Sequence, residues 1–256
     1  MPSLEPSLQP SRSIEPSSIP SATLMWVNIT SFEQYKFLPG TAKTLDIGDD
    51  GVTSIVLGFD YSWFGKTFTE VCLSSNGQIN MGKTCDSSKE MYPIGSYGGA
   101  RIALVQEDLY PPGGGAVKYL VKSSPPSLKV SFEDVKFHDW SVVGGIGNIQ
   151  AQVELFANGD IIFCYGDGDM GSPFNYFAAG VEDNSCHDVA YPIPDPSFND
   201  AGITNEWPAN ICWKFNMPAE CTSTVAPSVS SNPSHIPTVS FNVTNPHLIH
   251  AKLLSF

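Results

Sequence analysis

Short runs of β-branched and aromatic residues, separated by Gly, Pro and Asn turns, dominate the sequence. No segment of a dozen residues shows the apolar period of an amphipathic helix, so strands are the elements expected to build the core. Ten runs have the strand pattern: Val52–Leu57, Thr69–Leu73, Gln78–Met81, Arg101–Gln106, Ala116–Val121, Leu128–Phe132, Ile149–Phe156, Ile161–Tyr165, Tyr176–Val181 and Ile211–Phe215. The predicted fold class is all-β, an antiparallel β-sandwich or jelly-roll-like single domain with disordered Pro/Ser-rich ends.

Two Asn-Gly pairs give the clearest hairpin signals. Asn76-Gly77 and Asn158-Gly159 each lie between two predicted strands. Both residue types tolerate positive φ, which tight hairpin turns require. Side chains alternate along a strand, so the aromatic residues are expected to point inward and Cys72 and Cys164 to lie on outer faces.

The composition changes at both ends of the chain. Residues 1–23 repeat Pro-Ser pairs, and residues 222–256 are rich in Pro, Ser and Thr. Proline fixes φ and removes a backbone donor, so both flanks are predicted to be extended, disordered spacers around a β domain at 24–221. The flanks resemble the Pro-Ser-rich spacers of secreted surface proteins of microalgae such as diatoms.

The chain has six cysteines and no C-x-x-C pair, which favours three disulfides and an oxidising compartment over a zinc or redox site. They are Cys72, Cys85, Cys164, Cys186, Cys212 and Cys221. Short loops favour the pairs Cys72–Cys85, Cys164–Cys186 and Cys212–Cys221, with Cys72–Cys164 as a rival if those two strands are neighbours. N-glycosylation acceptor sequences at Asn28 and Asn242 are also typical of a secreted chain.

The formal net charge of −13 restricts the possible partners. An acidic surface repels phosphate backbones, so nucleic acid and anionic membrane surfaces are not expected partners. The sequence also has no run of about 20 apolar residues that would span a bilayer. Cations are attracted instead, and Ca²⁺ is the one cofactor that the composition leaves open.

Acidic residues at predicted strand ends are the candidate metal ligands. Asp167 and Asp169 lie in a Gly-rich turn, and Glu107 and Asp108 follow a strand. Hard cations such as Ca²⁺ bind several oxygen atoms, which such residues supply together with backbone carbonyls. The competing interpretation is that these side chains cap turns by accepting backbone hydrogen bonds.

Three tryptophans in loop-like contexts are candidate contacts for a glycan or another partner: Trp63, Trp140 and Trp207. A flat indole ring can stack on a sugar ring. The alternative interpretation is that the three rings cover the ends of the sandwich.

Six landmarks follow one another in a characteristic order. They are Trp63-Phe64-Gly65-Lys66-Thr67-Phe68, Ser74-Ser75-Asn76-Gly77, Glu107-Asp108-Leu109, Phe132-Glu133-Asp134-Val135, Asn158-Gly159-Asp160-Ile161 and Gly180-Val181-Glu182-Asp183. This order resembles nidogen-type extracellular domains and their microbial relatives, over roughly residues 45–215. Phe132 and the Gln106-Glu107 pair stand where the family has Trp and Trp-Asp. The resemblance implies an adhesive or matrix-associated β domain without catalytic residues.

We therefore expect an extracellular cell-surface or matrix module that binds a protein or a glycan and is not an enzyme. The chain has no G-x-S-x-G or H-E-x-x-H motif. The alternative is a carbohydrate-active protein, either a lectin-like glycan binder or a glycosidase, in which residues such as Glu107 and Asp108 would supply the acid and the base.

Overall fold

The computed structural model describes residues 26–28, 33–86, 99–139, 141–172, 175–183, 188–190, 203–204 and 206–217. The elements within these ranges are β1 (Trp26–Asn28), β2 (Lys43–Leu45), β3 (Val52–Trp63), β4 (Lys66–Ser74), β5 (Gln78–Met81), β6 (Arg101–Gln106), β7 (Leu109–Tyr110), a 3-10 turn (Pro111–Gly113), β8 (Ala116–Ser123), β9 (Pro126–Phe137), β10 (Ile146–Phe156), β11 (Ile161–Tyr165), β12 (Phe177–Asp183), β13 (Asp188–Ala190), β14 (Ile203–Thr204) and β15 (Ile211–Phe215). The predicted spacers, Trp140, Cys186, Cys221, Asn242 and the side chain of Asn28 lie outside the described part.

The strands form two antiparallel sheets. The first sheet has the order β1-β15-β11-β10-β9-β8-β2, with β7 also paired to β9. The second has the order β13-β12-β6-β5-β4-β3, with β14 also paired to β12. The sheets do not close into a barrel, and the predicted all-β sandwich is confirmed.

The core lies between the two sheets and is rich in aromatic side chains. Trp63 and Tyr61 from the second sheet and Trp213, Tyr165 and Phe163 from the first are each at most 1% exposed. Burying side chains of this size is the largest favourable contribution to folding, at roughly 25 cal/mol per Å² of apolar surface. All ten predicted strands are present. Sequence reasoning missed β1, β2, β7, β13 and β14, which are too short to show a period.

Both predicted hairpins are confirmed. Residues Gly77 and Gly159 have φ of 75° and 93°, in the left-handed region that suits glycine. Each glycine N–H donates to the carbonyl three residues earlier, on Ser74 and Phe156 respectively. The asparagines do not adopt positive φ, so one glycine supplies the unusual conformation in each turn.

The segment before β2 crosses the outer face of the first sheet. The backbone N–H of Leu38 donates to Glu133 Oε1 at 2.6 Å, and Gln152 Nε2 donates to the carbonyl of Lys36 at 2.8 Å. Phe37 lies between these two anchors and is 53% exposed. This segment therefore covers polar side chains of β9 and β10 and leaves one aromatic ring in solvent.

The disulfides confirm one predicted pair and correct the others. Cys72 bonds Cys85, as predicted, with Cα atoms 5.2 Å apart. Cys164 bonds Cys212, which lies directly opposite it on β15, with Cα atoms 4.1 Å apart. The predicted pairs Cys164–Cys186 and Cys212–Cys221 are therefore wrong, because strands far apart in sequence are neighbours in the sheet.

The rival pair Cys72–Cys164 is also wrong. Cys72 lies on β4 of the second sheet and Cys164 on β11 of the first. Both side chains are on outer faces, since their neighbours Val71 and Phe163 belong to the core between the sheets. Two outer faces of a sandwich point away from each other, so no disulfide can join them.

Gly77 and Gly58 form a matched pair for testing how closely the first hairpin packs. Both have nearly the same φ, 75° and 74°. A Cβ on Gly77 would overlap the carbonyl of Val105 in β6, whereas a Cβ on Gly58 meets nothing within 4 Å. We expect Gly58→Ala to cost about 1–2 kcal/mol from the left-handed backbone alone. Gly77→Ala should cost several kcal/mol more, as measured by chemical denaturation, and equal losses would contradict the packing.

Candidate functional site

Four loops meet at one end of the sandwich, and this surface is termed the loop end. Its segments are residues 46–51, 75–77, 107–115 (which include β7 and the 3-10 turn) and 138–145 without residue 140. The N–H of Ser75 donates to the carbonyl of Gly51 at 2.8 Å, and the N–H of Gly51 donates to Ser75 Oγ at 2.9 Å. The N–H of His138 donates to the carbonyl of Asp108 at 2.7 Å. These bonds fix the loops relative to one another.

The fully buried side chain of Asn76 links two more of these segments. Its Nδ2 donates to Asp50 Oδ1 at 2.9 Å, and its Oδ1 accepts from the N–H of Leu109 at 3.0 Å. Two landmarks of the sequence, the S-x-N-G turn and the acidic step before Leu109, are therefore in direct contact. Sequence order alone gave no sign of this contact.

Three carboxylates come together at the loop end. Oxygen atoms of Asp49, Asp50 and Asp108 all lie within 4.8 Å of one another. His138 Nδ1 lies 3.5 Å from Asp108 Oδ2. Carboxylate oxygens at this spacing are the type of ligand that a hard cation such as Ca²⁺ uses. Of the predicted metal residues, Asp108 belongs to this group, and its partners Asp49 and Asp50 were not predicted.

Glu107 has an environment different from that of its neighbour Asp108. Burial raises the pKa of the Glu107 carboxyl from 4.5 to about 7, and the nearby Asp108 charge adds to this rise. A hydrogen bond from the Asp108 backbone opposes it. Near neutral pH this carboxyl is therefore partly protonated, whereas an ordinary glutamate is fully ionised.

The last segment of the loop end carries an exposed apolar tip. Val142 is 42% exposed and Val143 is fully exposed. The turn before the tip is fixed by Asp139, whose Oδ1 accepts from the N–H of Ser141 at 2.7 Å and from its hydroxyl at 2.5 Å. These hydrogen bonds lower the pKa of Asp139. Beside the tip is a cavity of about 250 Å³, lined by Tyr110, His138, Asp139, Val142, Val143, Gly144 and Gly145.

Asp167 and Asp169 lie in the turn after β11 and not in the carboxylate group at the loop end. Asp169 Oδ1 accepts from the N–H of Gly171 at 2.7 Å. The Asp169 backbone forms a pair of hydrogen bonds with Asn148, at 2.9 and 3.0 Å. Asp169 thus caps a turn, which is the competing interpretation of this motif.

The tryptophans are placed differently from the predicted glycan contacts. Trp63 is fully buried beside Tyr61 and Phe64, so it cannot stack on a sugar ring, and that assignment is wrong. Trp207 is half-buried; its Nε1 donates to the carbonyl of Gly166 at 3.0 Å, and its ring packs 5.5 Å from that of Tyr165. Sequence reasoning misplaced Trp63 because its Gly-rich neighbourhood indicated a loop, whereas the residue ends the long strand β3.

The acidic landmark at the end of β12 forms ion pairs. Glu182 Oε2 lies 3.3 Å from Arg101 Nη2, and both side chains are buried. The buried Asp183 carboxylate lies 3.4 Å from Lys66 Nζ. Gln106, one of the three residues that depart from the family pattern, accepts a hydrogen bond from Arg101 Nη1. This landmark is therefore structural.

A larger cavity lies at the opposite end of β9 from the loop end. Its volume is about 410 Å³, and its lining is Pro125, Pro126, Phe156, Ala157, Asn158, Asp160, Ile162 and Lys214. Lys214 Nζ lies 2.7 Å from Asp160 Oδ2. The Asn158-Gly159-Asp160-Ile161 landmark contributes two residues to this lining, but the sequence did not indicate the cavity, because the rest of the lining comes from a second hairpin and the last strand.

Two antiparallel sheets with two disulfides and ordered end loops define a disulfide-bonded β-sandwich module. The family described as NIDO related matches residues 28–218. The chain therefore belongs to the nidogen-related family, and the resemblance drawn from the landmarks is confirmed. No curated protein and no solved structure matches the chain. Among the described residues there is no helix long and apolar enough to cross a membrane.

The raised pKa of Glu107 predicts a pH dependence of stability. The folded state retains the proton up to about pH 7 and the unfolded chain loses it near pH 4.5, so the free energy of unfolding should fall as the pH rises between these values. Glu107→Gln should remove this slope and stabilise the fold above pH 7 by on the order of 2–3 kcal/mol. Chemical denaturation at several pH values measures this dependence, and Glu206→Gln at an exposed position is the control. An unchanged slope in Glu107→Gln would contradict the burial of the carboxyl.

The carboxylate group predicts a response to divalent cations. Without them, Asp49→Asn should raise the melting temperature at low salt, because it removes one of three mutually repelling charges. If the group binds Ca²⁺, millimolar Ca²⁺ should stabilise the unmodified chain and not this variant. Asp46→Asn, at an exposed aspartate in the same loop, is the control. Equal stabilisation of all three chains by Ca²⁺ would exclude a site at this group.

Proposed function

We propose that the chain is an extracellular adhesion module that binds another macromolecule of the matrix or the cell surface and catalyses no reaction. The observation that carries this proposal is the nidogen-related match over residues 28–218. The disulfides Cys72–Cys85 and Cys164–Cys212 support an oxidising compartment, since such bonds persist outside the cytosol. Extracellular location and adhesion are thus inferred together from family and covalent structure.

The loop end is the proposed contact surface. Loops held on a rigid β-sandwich are common positions for binding residues, because the scaffold orders them before the partner arrives. Here Asn76 and the two hydrogen bonds between Ser75 and Gly51 provide that order. Val142 and Val143 then present an apolar tip to solvent, which a partner can cover.

The proposed partner is an extracellular protein with a basic patch. Asp49, Asp50 and Asp108 form a negatively charged group at the loop end, and the whole chain has a net charge of −13. Complementary charge accelerates association and selects partners more than it adds affinity. An acidic glycan would be repelled from this surface.

One observation favours the carbohydrate alternative at a different place. The cavity at the opposite end of β9 sets the ring of Phe156 and two prolines beside the polar groups of Asn158 and Asp160. An apolar wall with a few oriented polar groups is the usual form of a small-ligand site. A lectin-like function would use this cavity.

Fluorescently labelled full-length chain, applied to an array of purified extracellular matrix proteins and to a glycan array, tests the proposal. We expect binding to at least one basic matrix protein, weakening as salt is added. Val142→Ser combined with Val143→Ser should reduce this binding at least tenfold. Phe37→Ser, which removes an exposed apolar side chain from the outer face of the first sheet, should leave it unchanged.

Other results would contradict the proposal. Binding confined to the glycan array and lost in Asp160→Asn would replace adhesion to protein by the lectin-like alternative. Hydrolysis of an arrayed glycan that Glu107→Gln abolishes would contradict the absence of catalysis. A chain that binds neither array at micromolar concentration would contradict the binding role itself.

A further inference from the structure

Within the described part of the chain, one side of the sandwich is open, and a groove runs along it. Strand β3 is the last strand of the second sheet there, and β2 with β8 forms the end of the first sheet. Between them lies a cavity of about 380 Å³, termed the edge groove, whose lining comes from the segment around β2, from β3 and from β8 and includes Lys43, Val56, Leu120 and Val121. Its walls are mainly apolar, and one of them is the free edge of a long strand.

The first half of β3 lacks the features that usually protect a sheet edge. Within the described residues β3 pairs only with β4. Its segment Val52–Leu57 contains no charged residue and no proline, and Val56 is 71% exposed. Natural edge strands are normally short, charged, bulged or covered, because their unpaired N–H and C=O groups recruit other strands.

The second half of β3 is protected by an irregularity. The register with β4 shifts between Val56 and Tyr61, and Gly58 has φ of 74°. A bulge of this kind bends the strand and interrupts regular pairing. The accessible edge is therefore limited to Val52–Leu57, about the length of one ordinary strand.

We propose that the edge groove binds an extended segment of a partner protein, which pairs with Val52–Leu57 as an added strand of the second sheet. Backbone hydrogen bonds to the free edge provide affinity that does not depend on sequence. Alternate side chains of the added strand enter the groove between β3 and β8, and the solvent-accessible apolar residues Leu120 and Val121 select apolar ones. The residues that line this groove differ from those of the loop end, although Asp49 and Asp50 lie next to both surfaces.

Four acidic side chains flank the open edge, against one basic side chain, Lys43, in the groove lining. Asp49 and Asp50 precede the open edge, Asp60 follows it, and Glu70 lies opposite Val56 on β4. A partner segment with Lys or Arg at its ends is therefore attracted. A second copy of this chain paired antiparallel at the same edge would set like charges together, since Asp49 and Asp50 of one copy would lie near Asp60 of the other. The occupant is accordingly a basic-flanked apolar strand of another protein.

A designed peptide tests the proposal on the full-length chain. The probe is acetyl-Lys-Val-Thr-Val-Thr-Val-Lys-amide, compared with the same peptide N-methylated at alternate residues and with a version carrying Glu in place of both Lys. We expect saturable binding of the first peptide, with NMR shift changes at the amides of residues 52–57 and 119–121. The N-methylated peptide should bind at least tenfold more weakly because it lacks strand donors, and the Glu peptide should also be weaker.

Variants locate the contact. Val56→Lys places a positive charge at the groove and should weaken binding of the first peptide at least tenfold. Val121→Lys, on the opposite wall, gives the same test if the β3 variant does not fold. Phe37→Lys makes the same change in charge on the outer face of the first sheet and should leave peptide binding unaltered.

Two results would overturn the proposal. Equal binding of the N-methylated peptide, or shift changes away from residues 52–57, would show that no strand is added to β3. Sedimentation that reveals a dimer of the unmodified chain, dissociated by Val56→Lys, would show that the occupant is a second copy. Neither result bears on the loop end, whose variants are at Val142 and Val143.

Discussion

The buried turn at Asn76-Gly77 is the contact on which the geometry of the loop end depends. The carbonyl of Gly77 accepts from the N–H groups of both Leu104 and Val105, at 2.9 and 3.3 Å. The glycine lies so close to β6 that a side chain would overlap its backbone. Strand β6 continues into the loop that contains Asp108, and the Asn76 side chain forms hydrogen bonds with both that loop and Asp50. This one turn therefore determines where the carboxylates meet.

The same sheet contains a buried ion pair that sets the register of two of its strands. Arg101, which is fully buried, lies opposite Glu182 in the pairing of β6 with β12, and it also donates to Gln106. A buried ion pair adds little net stability, because desolvation of the charges offsets their attraction. Breaking it is costly, however, since an unpaired charge would remain buried. A slip of β12 by one residue would separate the pair, so the interaction specifies the alignment of the two strands.

Local patterns in the sequence predicted the strands and hairpins because their causes are local. Alternation of side chains and the permissive φ of Gly77 and Gly159 need only a few neighbouring residues. The Cys164–Cys212 bond spans 48 residues and depends on β11 and β15 being adjacent, which no short pattern encodes. The group of Asp49, Asp50 and Asp108 was missed for the same reason, since Asp108 joins a loop from a different part of the chain. Trp63 was misplaced because glycine next to an aromatic residue occurs both in loops and at strand ends.

The two proposed contact surfaces rely on different interactions. At the loop end the recognition groups are side chains, and the charges of Asp49, Asp50 and Asp108 act through solvent that salt screens within about 8 Å under physiological conditions. At the edge groove the main recognition groups are the backbone N–H and C=O of Val52–Leu57, whose hydrogen bonds depend little on ionic strength, and the flanking carboxylates only bias the choice of partner. A partner bound at the loop end is therefore released by salt before a strand bound at the groove. This difference follows from where each surface lies, since loops present side chains while a sheet edge presents the main chain itself.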